Sequence, residues 1–268
     1  MSGYDPDFLA TPIPLPLPHD GRGTAVLDYV HFSVVQNTLR RLAAVTAVNI
    51  DGAALVEVPR SGGWRTDDRL ADDEQCGNEL YRHNDLDRGH LVRRRDPVWG
   101  DDARQANDDT FYYTNAAPQH ADFNQSLELW LGLEDHVLSY AEAQRHRVSV
   151  FTAPVFGDDD PKYRGVGIPL AYWKIAAWMT GSGGDPALRS AAFLLDQSPQ
   201  LDGFDWSARG DDTPPLGPFR TFQLPVAELE QRTGVALDVL ADADVFESVP
   251  GLLPVAREVH DVSDIVLR

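Results

Sequence analysis

The stretch YRHNDLDRGHLVRRRDPVWG, Tyr81 to Gly100, gathers two histidines and five arginines. It does so inside a 268-residue chain whose formal net charge is -19. Within it, Asp87, Arg88, Gly89 and His90 run together as a tetrad. The charge is segregated: residues 81–95 are locally basic, whereas residues 181–268 carry six arginines against fifteen carboxylates. Net charge says nothing of where the charges lie. An acidic total therefore does not exclude an anionic ligand, and the tetrad marks the place where one would be met.

On either side of this stretch the chain reads as alternating strands and short helices. HFSVVQ (His31–Gln36) is β-branched and aromatic, and RRLAAVTAVNIDG (Arg40–Gly52) ends in an Asp-Gly turn signal, which predicts two strands of a central sheet. Residues 53–80 mix Gly and charge and suggest a loop with short strands. DDTFYYTNAAPQ (Asp108–Gln119) reads as a strand entering a Pro-marked turn. Phe123–Gln144 places Leu127, Trp130, Leu131, Leu133 and Leu138 at near-helical spacing. Three more strands are expected at His146–Gly157, Gly167–Gly181 and Ala191–Gln197. PVAELEQRTG (Pro225–Gly234) has the Pro-first, Gly-last signature of a short helix. The fold class this implies is α+β, a central mostly antiparallel sheet flanked by helices. No linker divides the chain, so residues 1–268 are expected as one domain. TPIPLPLP (Thr11–Pro18) makes residues 1–26 an extended arm packed as a strap.

Several function classes drop out. A single cysteine, Cys76, precludes a disulfide framework. The start has neither a basic n-region nor an apolar h-region, and no run suits a membrane span. The expectation is a soluble, untargeted or cytoplasmic chain with no membrane partner. GSGGD (Gly181–Asp185) lacks a dinucleotide or P-loop pattern. His120 and His136 form no His-x-x-x-His pair, which speaks against zinc. His83 reads as a surface residue, and Tyr172, Trp173 and Trp178 read as core or rim.

Downstream of the tetrad lies TNAAPQHADFNQ, Thr114 to Gln125, with Asn124 at the mouth of the expected helix and Glu134 within it. Phosphodiester cleavage needs a base for water, a cation at the phosphate, and a proton for the leaving oxygen. His supplies a base near neutral pH. Mg²⁺ takes oxygen ligands and keeps most of its waters, so one amide oxygen can be its direct protein ligand. Arg suits a phosphate through its permanently charged fork.

Taken together, Asp87-Arg88-Gly89-His90, Thr114-Asn115-x-x-Pro118-Gln119, Asn124-Gln125, Trp130-x-x-Leu133-Glu134-Asp135, VFTAPVF (Val150–Phe156) and IPLAYWKI (Ile168–Ile175) resemble the DNA/RNA non-specific endonucleases of the ββα-metal superfamily, the group that includes endonuclease G. The likeness runs from about Asp28 to Phe246. It implies a ββα-metal finger over about residues 80–145, formed by His90, a strand through Tyr112–Thr114 and the helix from Asn124. It implies His90 as general base, Asn124 as direct ligand of Mg²⁺ (or Mn²⁺ or another divalent cation), and Glu134 serving that ion through water. Arg88 would face the phosphate, while Asp87 and Asn115 orient the site. Arg93 and Arg94, with Arg95, are either a phosphate-tracking patch or a solvated face paired with aspartates. DNA and RNA are the implied substrates and 5′-phosphate ends the implied products. A homodimer and an inhibitor or delivery partner are further implications. The pattern departs at the glutamate: Glu134 stands ten residues after Asn124, whereas family members often use eight, and Glu128 is a rival. Leu138 stands where some members carry an Arg. The alternative reading is a non-catalytic nucleic-acid-binding or regulatory module that keeps the fold.

Overall fold

The computed structural model describes residues 3–84, 86–120, 146–180, 186–198, 220–246, 256–260 and 264–266. Eight strands form one antiparallel sheet. They are β1 (Thr24–Tyr29), β2 (Phe32–Asn37), β3 (Leu42–Asp51), β6 (Arg147–Val155), β9 (Ala171–Thr180), β10 (Ala187–Asp196), β11 (Arg220–Leu224) and β12 (Arg257–Val259), in that spatial order. Two hairpins stand apart, β4 (Leu86–His90) with β5 (Ala116–His120), and β7 (Lys162–Tyr163) with β8 (Val166–Gly167). Helices are short: α1 (Asn78–Tyr81), α2 (Ala103–Asp109), α3 (Val226–Thr233) and α4 (Asp238–Asp242). Among the described residues no helix is long and apolar enough to cross a membrane.

The sheet is covered on both faces, which is why β3, β6 and β9 are apolar almost throughout instead of alternating. Successive residues go to opposite cores. Tyr172, Val150 and Phe193 enter a cluster with Tyr29, Phe32, Leu91, Val92 and Ala117. Trp173, Phe151 and Leu194 enter the other, with Phe8, Leu9, Ile13, Leu229 and Leu240. The first core ties the β4–β5 hairpin to the sheet, and the second lies under the N-terminal segment, α3 and α4. Tyr172, Trp173 and Trp178 are thus core residues. Tyr172 also donates from its hydroxyl to Pro118 O at 2.6 Å, a direct tie from β9 to the hairpin.

The Pro-rich segment is strapped down. Ile13 is buried, the Tyr4 hydroxyl donates to Ile13 O, and Pro18 bridges to Val235. Helix α3 follows Pro225 and ends at Gly234, whose φ of 63° is the left-handed cap that glycine adopts without strain.

Two expectations need correction. The aromatic run ahead of Asn115 is not a strand: Tyr113–Asn115 is a 3₁₀ turn, and β5 begins only at Ala116. The turn is held by Asn115, whose side chain donates to Thr110 O and Val92 O, bonds that an extended segment could not make together. Residues 53–80 hold no regular strand, only isolated bridges Leu55–Trp99 and Arg65–Tyr112 ahead of α1. The helix expected over Phe123–Gln144 lies outside the described residues.

Candidate active site

Strand β4 presents the tetrad. Its register sets Asp87 opposite Gln119, Arg88 opposite Pro118, Gly89 opposite Ala117 and His90 opposite Ala116. Strand geometry sends Arg88 and His90 to one side and Asp87 and Gly89 to the other. The buried Gln119 side chain crosses directly over Gly89, and a Cβ at position 89 would overlap its carboxamide. Glycine is required in the tetrad for that close approach.

His90 lies in an aromatic setting. Its ring centroid is 4.7 Å from that of Trp64 and 5.3 Å, edge-on, from that of Phe111. Trp64 stacks on Tyr113 at 5.6 Å, and Tyr113 on Tyr81 at 5.9 Å. Although part of the residue reaches the surface, Nε2 is buried and makes no hydrogen bond among the described residues. Burial of the imidazole, with the charges of Arg60 and Arg94 adding to it, pushes its pKa down to about 3. His90 is therefore neutral at physiological pH, with a nitrogen that no described residue engages.

Arg88 lies across the same aromatic face, with its guanidinium carbon 5.4 Å from the Tyr81 ring centroid and 5.9 Å from that of Tyr113. Its Nη2 donates to Asn78 Oδ1 at 2.6 Å. Asn115, fully buried, accepts from Val92 N at 2.8 Å and donates to Val92 O at 2.9 Å, while its own carbonyl accepts from Leu91 N. It thereby fixes the two residues that follow His90. One residue back, Thr114 meets the Tyr29 hydroxyl, which donates to Asp67. Arg69 grips Asp67 with Nε and Nη2. Burial alone would raise the Asp67 carboxyl, but these bonds outweigh it and hold its pKa below the usual carboxylate value.

Arginine charge collects around His90. Arg60 lies over Phe111 at 5.3 Å, and Arg94 donates through Nη1 to Val58 O and to Asn107 Oδ1, both at 3.0 Å. Among the described residues Arg60, Arg88, Arg94 and Arg95 form no ion pair with a carboxylate. Burial, and then repulsion from Arg60, Arg95 and Arg93, lower the Arg94 pKa. This patch is short of negative charge in a chain that has a surplus of it. Arg93 is half-buried next to it, Asp87 is half-buried on β4, and His83 is exposed. Asn124, Glu134, Glu128 and His136 lie outside the described residues.

The description "DNA/RNA non-specific endonuclease" matches residues 18–245, most of the chain. The chain belongs to the DNA/RNA non-specific endonuclease family. It is 39% identical over 285 aligned positions to protein y4fB of Sinorhizobium fredii, described as uncharacterized, covering 97% of this chain and 42% of that one. It is 31% identical to the nuclease of Serratia marcescens, over 74% of this chain and 71% of the relative. It is 27% identical to human mitochondrial endonuclease G, over 71% and 61%. The chain thus spans less than two thirds of the length of y4fB and of human endonuclease G. Its fold is like that in a crystal structure of an EndoG/EndoGI complex, with a TM-score of 0.56 and 20% identity over 79% of this chain and 84% of that one. Membership of the endonuclease family and the large antiparallel sheet agree with the fold class and family read from the motifs.

The motif reading reached His90, Arg88 and Asn115 but not Trp64, Phe111, Arg60 or Asn78. The signal for Trp64 was weak, an aromatic in RSGGWR (Arg60–Arg65). Only the bridge of Arg65 to Tyr112, with Arg65 N donating to Phe111 O and Tyr113 N to Arg65 O, carries it to His90.

Proposed function

We propose that this chain hydrolyses phosphodiester bonds in DNA and RNA with little sequence preference, leaving 5′-phosphate ends, and that His90 is the general base. The observation that carries the proposal is the buried Nε2 of a neutral His90, without a hydrogen-bond partner among the described residues, beside Arg60 and Arg94, which pair with no carboxylate among those residues. A neutral imidazole can accept a proton from the attacking water, which a protonated one cannot. Among the described residues this nitrogen has no hydrogen-bond partner, as expected of a base whose partner is a reacting molecule.

Arg60 and Arg94 would draw the phosphate to this end of β4. A bound phosphate would offset their positive charge at His90 and raise the proton affinity of the imidazole when the proton has to move. Arg88, held flat by Tyr81, Tyr113 and Asn78, would stabilise charge growing on the phosphoryl oxygens. Asn115 and Asp87 would orient the strand. Contacts of this kind are to backbone, which suits cleavage without sequence preference.

The family resemblance implies a divalent cation, Mg²⁺ or Mn²⁺. Asn124 would be its direct ligand through an amide oxygen, and Glu134, with Glu128 as its rival, would hold it through water; oxygen donors of this kind suit a hard ion. When bound, such an ion polarises a phosphoryl oxygen and neutralises the leaving oxygen. We further propose that residues 1–268 act as one nuclease domain and can pair as a homodimer. The chain would need an inhibitor or a delivery partner to spare its host; the EndoG/EndoGI complex, in which EndoG is inhibited, supports the first.

Digestion of supercoiled plasmid and of RNA by the purified chain, with Mg²⁺ and with a chelator, tests this reading. Metal-dependent loss of both substrates is expected. Binding of nucleic acid without cleavage in any divalent metal would instead identify a non-catalytic module.

A further inference from the structure

Arg94, whose charge acts on His90, also lines a pocket of about 420 Å³. One wall is the segment Val56 to Pro59, and the other is formed by Arg94, Arg95 and Val98. The walls are held together by backbone: Val56 N donates to Val98 O, and Leu55 bridges to Trp99. Arg94 is pre-set there, since its Nη1 is committed to Val58 O and Asn107 Oδ1. Asn107 is fixed in turn, donating from Nδ2 to Ser61 Oγ and Asp108 Oδ1. Arg95 is exposed at the rim, and Arg60 follows directly on Pro59.

The lining has two halves of different chemistry. Arg94 and Arg95 offer cationic forks without carboxylate partners among the described residues, and the one acid in the lining is the exposed Glu57. Val56, Val58, Pro59 and Val98 offer an apolar surface. A ligand that suits both halves carries a phosphate next to a flat or ring-shaped apolar body. A nucleotide unit has that form, and the volume is in the range of small-ligand sites. Arg94 also links the pocket to the reaction centre, because its charge acts on His90.

We propose that this pocket is a subsite for the nucleotide next to the cleaved bond, its phosphate taken by Arg94 and Arg95 and its sugar or base set against Val56 and Pro59; this rests on the nuclease reading above. The pocket would give the chain a grip on a phosphate other than the one it cuts, and so a preference for substrates that extend past the cleaved bond.

The test uses a single-stranded oligonucleotide with one preferred cut position, and a series in which one phosphate at a time is replaced by a neutral methylphosphonate. The full chain, Arg95→Ala and Arg94→Lys are compared. Cleavage is followed with Mg²⁺, and binding by fluorescence anisotropy in chelator. Neutralising one flanking phosphate is expected to raise KM and Kd of the unmodified chain roughly tenfold, the size of a charge-assisted hydrogen bond, with kcat little changed. In Arg95→Ala the same neutralisation costs roughly threefold or less, and Arg94→Lys loses part of the effect because it keeps the charge but not the fork. Arg95 is exposed, so its removal leaves the fold intact. Equal sensitivity in all three proteins, or none in the unmodified chain, would overturn the subsite. If no protein cuts any substrate while anisotropy still shows the Arg95-dependent phosphate, the nuclease reading falls and the nucleotide subsite stands.

Discussion

The carboxamide of Asn115 closes on the backbone of Val92 from both sides, accepting from its N–H at 2.8 Å and donating to its carbonyl at 2.9 Å. Both residues are buried. This pair fixes the chain two residues beyond His90 and joins the end of β4 to the turn that starts β5. The direction of the His90 side chain follows from where that loop is held.

Asn115→Ala leaves Val92 N–H and two carbonyls, of Val92 and Thr110, without their partner. Each buried unsatisfied group costs about 1–3 kcal/mol, so the variant should lose several degrees of thermal stability. Asn115→Asp keeps the acceptor and loses the donors. It should be folded, with kcat reduced more than KM is raised, because the base is misplaced rather than the substrate lost. Urea unfolding and steady-state kinetics on an oligonucleotide check both statements.

The depressed pKa of His90 sets the pH dependence. The acid limb of kcat/KM reports the base in the free enzyme. It should lie near pH 3, well below the ordinary histidine value of 6.5, and activity should not halve as pH falls through 6.5. The same shift bears on stability. The unfolded chain takes up a proton near 6.5 that the folded chain refuses until about 3, so stability contributed by neutral His90 is full above 6.5 and is lost as pH falls from there toward 3. Kinetics between pH 4 and 8, in one buffer of constant ionic strength, reads the first effect.

Gly89 and Gln119 should behave as a coupled pair. Gly89→Ala forces the Gln119 carboxamide from its buried place over the strand. Activity should fall and stability should drop by about 1–3 kcal/mol, as for overpacking of a tight site. Gln119→Ala made together with Gly89→Ala should recover part of that loss. Additive effects in the double variant would mean that the close approach does not matter.

The Tyr29–Asp67–Arg69 group supports Thr114 from behind. The bonds to Asp67 hold its pKa below the ordinary carboxyl value of 3.8. Its contribution is present above that value and is lost as pH falls through the lower folded pKa. Asp67→Asn should therefore cost about 2 kcal/mol at neutral pH, the scale of hydrogen bonds to a charged group, and progressively less as pH is taken below 3.8. Urea unfolding at neutral pH and below pH 3.8 reads the difference.

Much of this fold could be read from the residues. β3, β6 and β9 are long, mostly apolar runs because both sheet faces are covered, and such runs stand out in a sequence. β1 was harder to see, since it lies at the sheet edge with Val26 about half exposed and carries a mixed pattern. β10 starts at Ala187, ahead of its expected start at Ala191, because Arg189 and Ser190 hide its beginning. The run TFYY (Thr110–Tyr113) has β-forming side chains, yet its conformation is decided by bonds from Asn115 to Val92 and Thr110. Propensity cannot report a bond between residues far apart in the chain. In the site, the tetrad and Asn115 were legible as motif. The aromatic setting of His90 was not, because Trp64 reaches it only through the Arg65–Tyr112 pairing. That Arg94 and Arg95 pair with no carboxylate among the described residues was equally hidden, since the sequence offers abundant aspartates.

The central claim is that the buried Nε2 of His90 takes a proton during phosphodiester cleavage. Single-turnover cleavage of one oligonucleotide in Mg²⁺ by the unmodified chain and by His90→Ala, with matching circular dichroism and matching substrate affinity in chelator, tests it most directly. The account predicts that His90→Ala binds as before and cleaves at least about a hundredfold more slowly, the least expected for loss of a general base. Cleavage by His90→Ala at the rate of the unmodified chain would contradict it.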